Sequence, residues 1–318
     1  MFSKEALLKA TQVGNRYVVL KLAQVIDDQM VHHGVKDFSA RINEKRFDIY
    51  QKWLEERYRS QLLDMDSWSF DCPEYDWHTS PLWFCWLQGK ENMPSLPQFN
   101  YENLLKKAGS HPVKFIDFNS LEDYIDIPSE VKELFSAGKI SAAFYTDIIR
   151  FALLSKYGGA WIDSTVFLKE PLPDYIFSHT DWCVKGLDGR FKYKNAIVGA
   201  LDWQSYFVAA RPDSVFSHAM YELLVDYAID IECVFEYFTA FFFAKILRER
   251  IALVDKSYRN IPVNNERCEL LQAWIDGYGP LDKMTLDDFK KSGTFVYKMS
   301  RRSSFSKQER VFSQLLND

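Results

Sequence analysis

A chain of 318 residues, 47% hydrophobic and 26% charged, is long enough to bury a sizeable core and has the balance of a soluble globular protein. A net charge of −5 argues against nucleic acid as a main partner, because phosphate binding shows as a basic surplus. Aromatic residues reach 16%, with nine Trp and seventeen Tyr, enough to fill a core and still leave rings for stacking on a sugar or a base.

The N-terminal sequence MFSKEALLKATQ lacks the basic-then-apolar order of a secretory signal. No apolar run approaches the roughly 18–20 residues of a membrane span; the nearest, 237–244, stops at Lys245. Cys72, Cys85, Cys183, Cys233 and Cys268 are odd in number and form no CxxC pair. Structural zinc and a disulfide framework are therefore not expected, and a reducing, cytoplasmic setting is.

Periodicity predicts two long helices first. Residues 4–30 place Leu7, Leu8, Val18, Val19, Leu22 and Val25 among Lys4, Lys9, Arg16 and Lys21; residues 39–63 repeat Phe47, Tyr50, Leu54, Tyr58 and Leu62 at spacings of three and four. Such helices pack on the core or on a second copy of the chain, or rest on a membrane surface such as the inner face of the plasma membrane. His32-His33, four residues after Asp28, imitates a metal pair, but adjacent histidines on a helix point apart. The polar stretch 64–81 marks an expected boundary between an N-terminal helical region, 1–78, and a second unit, 79–318.

Beyond it the texture is strand–helix alternation. LWFCWL (82–87) and VKFIDF (113–118) read as strands. A helix is expected from Pro128 to Gly138, another over 140–157, then a strand ending at Asp163, strands near 181–186 and 195–201, and helices over 214–230 and 232–250. The alternation predicts an α/β layered domain whose ligand sits beyond the strand C-termini.

The chemistry concentrates in ISAAFYTDIIRFALLSKYGGAWIDSTVF, residues 140–167. Asp147 and Arg150 share one helical face, and a helix apolar nearly all round buries them. They form either a structural ion pair or charge held for a ligand. Gly158-Gly159 reads as a helix stop, and equally as room for backbone to approach a ligand. Asp163 either ligates a divalent cation or caps the next turn. Cys85, with no histidine near it in sequence, reads as a buried strand residue and not a nucleophile.

FYTDIIRFALLSKYGGAWIDSTVF resembles the signature of bacterial capsular polysaccharide synthesis proteins, which are similar to glycosyltransferase family 32 with its S-D-x-x-R and Y-G-G-x-x-x-D-x-D motifs. WFCWLQG with the following Pro94 is similar to that family's opening strand. The resemblance implies a GT-A-like mixed α/β sheet flanked by helices, here with an N-terminal helical extension. It also implies a UDP-sugar donor such as UDP-galactose or UDP-glucose, Mn2+ or Mg2+, a retaining mechanism and a lipid-linked oligosaccharide acceptor. By position, Asp147 and Arg150 would hold the donor sugar and diphosphate, and Asp163 the metal. Trp86, Gln88 and Gly89 would line the uridine end, with Gly159 and Trp161 flanking the same corner. Asn195, Trp203, Gln204 and Ser205 would shape the sugar and acceptor pocket, or else form a turn between strands. Glu236 stands where the family tends to have Asp. Thr165 replaces the second acid of D-x-D, and Tyr297-Lys298-Met299-Ser300-Arg301 lacks the histidine that would complete a metal shell. Thr165 and Ser300 are then the remaining metal candidates, with Lys298, Arg301 and Arg302 as alternative counter-charge for a diphosphate. A glycoside hydrolase and a non-catalytic nucleotide-sugar-binding scaffold are the competing readings.

Overall fold

The computed structural model describes residues 4–32, 39–71 and 75–316. Its strands are β1 (Leu82–Cys85), β2 (Val113–Ile116), β3 (Gly159–Ile162), β4 (Val166–Leu168), β5 (Asp181–Cys183), β6 (Phe207–Ala210) and β7 (Val296–Lys298). Five of them form one mixed sheet in the order β2-β1-β3-β6-β5. The neighbours β2, β1 and β3 run parallel, whereas β6 is antiparallel to both β3 and β5. Helices flank this sheet in the layered α/β arrangement expected. Every residue of β1, β3 and β6 is buried, which is why LWFC, GAWI and FVAA carry no polar alternation.

The remaining strands, β4 and β7, pair antiparallel in a separate two-stranded ladder with Val166 opposite Lys298. A second small core of Leu96, Phe167, Leu270, Phe289, Tyr297 and Phe312 gathers around it. This ladder carries the C-terminal segment to the end of β3, more than a hundred residues upstream.

Several elements differ from expectation, each for a local reason. Residues 195–201 form turns and no strand; the strand lies at Phe207–Ala210, pairing with β3 through all four of its residues. The apolar side chains Val198 and Ala200 are buried from turns, so they imitate a strand without forming one. Helix Val215–Ile231 ends where Glu232 enters the left-handed region (φ 57°), and the next helix begins only at Thr239. Gly14, at φ 120°, separates Lys4–Ala10 and the turn after it from Asn15–His32. The 39–63 pattern is split at Tyr58 into Ser39–Arg57 and Arg59–Met65.

The boundary expected at 78/79 does not separate two cores. Tyr17, Tyr50, Leu54, Tyr58, Leu62 and Met65 belong to the same buried cluster as Trp83, Trp161, Phe207 and Leu224. Glu236 reinforces the junction from the other side. It is fully buried, accepts hydrogen bonds from Tyr17 Oη (2.7 Å) and Lys21 Nζ (2.9 Å), and pairs with Arg46. Of the cysteines, Cys85, Cys183, Cys233 and Cys268 are free and buried; Cys72 lies outside the described residues, as do His33 and the side chain of His32. Among the described residues no helix is long and apolar enough to cross a membrane.

Candidate active site

Helix Ala142–Tyr157 starts on Ser141, whose hydroxyl accepts the Phe144 N–H at 3.2 Å, and stops at Gly158. Between these caps it is buried on most of its surface and packs against Val215–Ile231. Arg150, 4% exposed, is therefore held in a low-dielectric layer where a lone charge is costly. Two carboxylates answer it. Asp147, one turn earlier, pairs with Nη1, and Asp163 Oδ1 accepts from Nη2 at 3.2 Å.

Asp163 follows β3 directly and is fixed from several directions. Its own N–H donates to the Tyr206 carbonyl (2.9 Å), and its carbonyl accepts the Val166 N–H (2.9 Å), turning the chain into β4. Below this turn, Asn100 Nδ2 donates to the Ser164 carbonyl (3.0 Å) and Asn103 Nδ2 to that of Leu168 (2.8 Å). The Trp161 indole donates to Asp163 Oδ1 at 2.8 Å, and the same ring lies 4.9 Å from the Arg150 guanidinium. The β4–β7 register then delivers Lys298, whose Nζ donates to Asp163 Oδ2 at 2.7 Å while resting 4.8 Å from the Tyr206 ring. Burial alone would raise the Asp163 carboxyl, but Lys298 and Arg150 outweigh it and hold the group below the ordinary carboxylate range.

Two acids and two bases thus alternate at the floor of an open cleft of about 870 Å³. Asp147, Arg150, Asp163, Thr165, Gln204, Ser205, Lys298, Ser300 and Arg301 all line it. Gln204 is buried and hydrogen-bonds the Ala200 carbonyl. Tyr193 and Tyr237 stand exposed on the cleft walls. The volume suits a nucleotide-sized ligand.

Other expected contacts lie elsewhere. Glu236 is spent on Lys21 and Arg46 and does not reach the cleft, while its neighbours Tyr237 and Phe238 do. Trp203 is buried edge-on against Phe216 and Phe241. Asn195 is outside the cleft; its carbonyl accepts from Asn43 Nδ2 (3.0 Å). Gly159 faces protein and not ligand: a Cβ there would stand 2.1 Å from the Pro81 carbonyl oxygen. Gly89, at φ 92°, opens the turn Lys90–Asn92, and the Gln88 carbonyl accepts from Asn92. Neither lines the cleft, nor does Trp86, although the Arg301 guanidinium stacks 5.1 Å above its ring.

Several cleft residues carried no sequence signal, Lys192, Asp276 and Glu269 among them. Glu269 precedes Leu270–Ile275 like any helix-start acid, yet burial raises its pKa to about 7, against the opposing effects of Lys298 and the Tyr206 hydroxyl. Only the assembled fold brings it beside Lys298.

A divalent ion does not fit these donors as they stand. Both oxygens of Asp163 are engaged by cationic or indole donors, and Ser300 Oγ accepts the Arg302 N–H (3.2 Å). No group of three or more His, Cys, Asp or Glu that could hold a metal occurs among the described residues.

A family model described as capsular polysaccharide synthesis protein matches residues 32–316, nearly the whole chain and across the 78/79 position. The chain belongs to that family. A relative, "Uncharacterized glycosyltransferase L373" of Acanthamoeba polyphaga mimivirus, is 28% identical over 120 residues, 36% of this chain and 47% of that protein. The chain thus spans about half the length of that relative. Among solved structures, the PaToxG glycosyltransferase aligns over 86% of this chain and 97% of its own, with a TM-score of 0.41 and 13% identity.

Proposed function

We propose that this chain is a glycosyltransferase of capsular polysaccharide synthesis, moving galactose or glucose from a UDP-sugar to a lipid-linked oligosaccharide with retention of configuration. Its family supports the coarser part of this reading, and the name of the mimivirus relative is in keeping with it. The observation that carries the donor assignment is the floor of the cleft. A buried guanidinium and a half-buried ammonium converge on one carboxylate beneath a nucleotide-sized opening.

In the transfer, the bond from the sugar's anomeric carbon to the diphosphate oxygen breaks and its electron pair stays on the phosphate. The acceptor hydroxyl forms the new bond from the same face and gives its proton to that phosphate oxygen. Arg150 and Lys298 are placed to offset the growing charge, and Asp147 to orient the sugar hydroxyls. No separate base is needed. A peripheral seat at the cytoplasmic membrane face belongs to the same proposal, because the acceptor is lipid-linked.

A hydrolase needs two acids free on opposite sides of a sugar. Here Asp147 and Asp163 are tied to the same Arg150, so that reading is less well served. The test is release of UDP from UDP-galactose and UDP-glucose, run beside aryl glycosides without nucleotide. Sugar-nucleotide turnover with inert aryl glycosides is expected; the reverse pattern would replace the transferase with a hydrolase.

A further inference from the structure

The charge balance of the cleft is unlike that of a site awaiting a cation. Among the described residues lining it, five are cationic (Arg150, Lys192, Lys298, Arg301 and Arg302) and four carry carboxyls (Asp147, Asp163, Glu269 and Asp276). The surplus is positive before any metal enters, and it matches the sign a diphosphate needs. A carboxylate cluster built for Mn2+ has the opposite surplus, which the ion then neutralises.

Position within the fold sharpens this. Lys298 ends β7, and its strand partner is Val166, which opens β4 just after the acid-bearing turn. The ammonium therefore sits on Asp163 Oδ2 by strand register as well as by attraction. Tyr206 lies against its other side, 4.8 Å away, and the side chain keeps 24% exposure. A lysine held this way is a point charge with donors left over for a ligand, since an ammonium has three and Asp163 takes one.

We propose that Lys298, anchored on Asp163, binds the donor's pyrophosphate in the place a divalent ion would take, so that this site holds its nucleoside diphosphate without metal. The inference rests on the donor-site reading above and deepens it. Asp163 then acts as the anchor of a cation, and Thr165 and Ser300 need supply no ligands. When the anomeric bond breaks, the leaving diphosphate meets the Lys298 ammonium and the Arg150 guanidinium, while the acceptor's proton passes to the phosphate as before.

The test is calorimetric titration of the full chain with UDP, and in parallel with GDP, CDP and ADP, once in excess EDTA and once in Mn2+. At least one diphosphate is expected to bind in EDTA within about threefold of its affinity in Mn2+. Lys298→Met should weaken that binding by about tenfold or more, as loss of a charge contact does, and Lys298→Arg should restore most of it. Binding seen only with Mn2+, or undiminished in Lys298→Met, overturns the inference and leaves the transferase reading standing. Absence of binding for all four nucleotides in both buffers overturns the donor-site reading, and this inference with it. The comparison of buffers on the unaltered protein decides the matter even where a variant fails to fold.

Discussion

Asp163 accepts from an indole, a guanidinium and an ammonium at once, so a single atom change there disturbs all three. Asp163→Asn keeps the shape but removes the charge that seats Lys298 and Arg150. Donor turnover should fall by about a hundredfold or more, with the circular dichroism spectrum unchanged. Full turnover in that variant would remove Asp163 from the mechanism. Glu269 makes a different prediction. Its ordinary pKa is 4.5 and burial lifts it to about 7 in the folded chain. Below pH 4.5 both states hold the proton and stability is complete. Between 4.5 and 7 the unfolded chain ionises first, so stability drains as pH rises, and above 7 the loss is constant. Glu269→Gln should therefore match the parent near pH 4.5 and exceed it by on the order of 2–3 kcal/mol at pH 8 in urea melts. Equal stability at pH 8 would show the carboxyl to be solvated. At this scale Asp147, Arg150 and Asp163 were legible, because charge in an all-round apolar helix and at a buried strand end advertises itself. Glu269 was not, since its environment is made by Tyr206 and Lys298, remote in sequence.

The glycine pair between helix Ala142–Tyr157 and β3 shows how an element boundary is enforced. Gly159 has φ 91°, and the Pro81 carbonyl it would strike is the one that accepts the Ala160 N–H at 2.9 Å. Neither the conformation nor the neighbour can yield without losing the β1–β3 pairing. Gly159→Ala should cost about 3 kcal/mol or more. Gly138→Ala is the control: φ is 69° but nothing lies within 4 Å of the added carbon, so the cost should be about 1 kcal/mol. Similar losses in the two variants would discard the steric account. Such backbone detail is only half visible in a sequence: KYGG announces a stop, but not which carbonyl lies opposite. The same limit explains residues 195–201, where buried apolar side chains on turns mimic a strand, while FVAA at 207–210 looks too slight to be one.

Across the whole molecule, the N-terminal helices are integral to the core. Glu236 is the fastening. Burial would raise its carboxyl, but Lys21 and Arg46 prevail and hold it below the ordinary range. Its contribution is present above about pH 4.5 and is lost as acid titrates it through its lowered pKa. Glu236→Gln removes the carboxylate that Lys21 and Arg46 share in the core and should cost about 3–5 kcal/mol in equilibrium unfolding at neutral pH. A cost under 1 kcal/mol would mean that water reaches the cluster. The polar stretch before Leu82 suggested a seam, yet Met65 and Trp83 share one core, and composition alone does not distinguish a connection within a core from a linker between two. The layered sheet was legible from strand–helix alternation; the ladder that adds the C-terminal segment was not, as its strands are three residues long and lie far apart in the chain. That ladder has a consequence for how the protein fails. A ladder of three residue pairs, with the Met299 N–H on the Thr165 carbonyl and the Lys298 N–H on that of Cys268, zips Lys298 to the corner of the main sheet, and it can part while the five-stranded sheet stays whole. Under rising urea, nucleotide affinity should fade at a lower concentration than tryptophan fluorescence, so the molecule goes silent before it unravels.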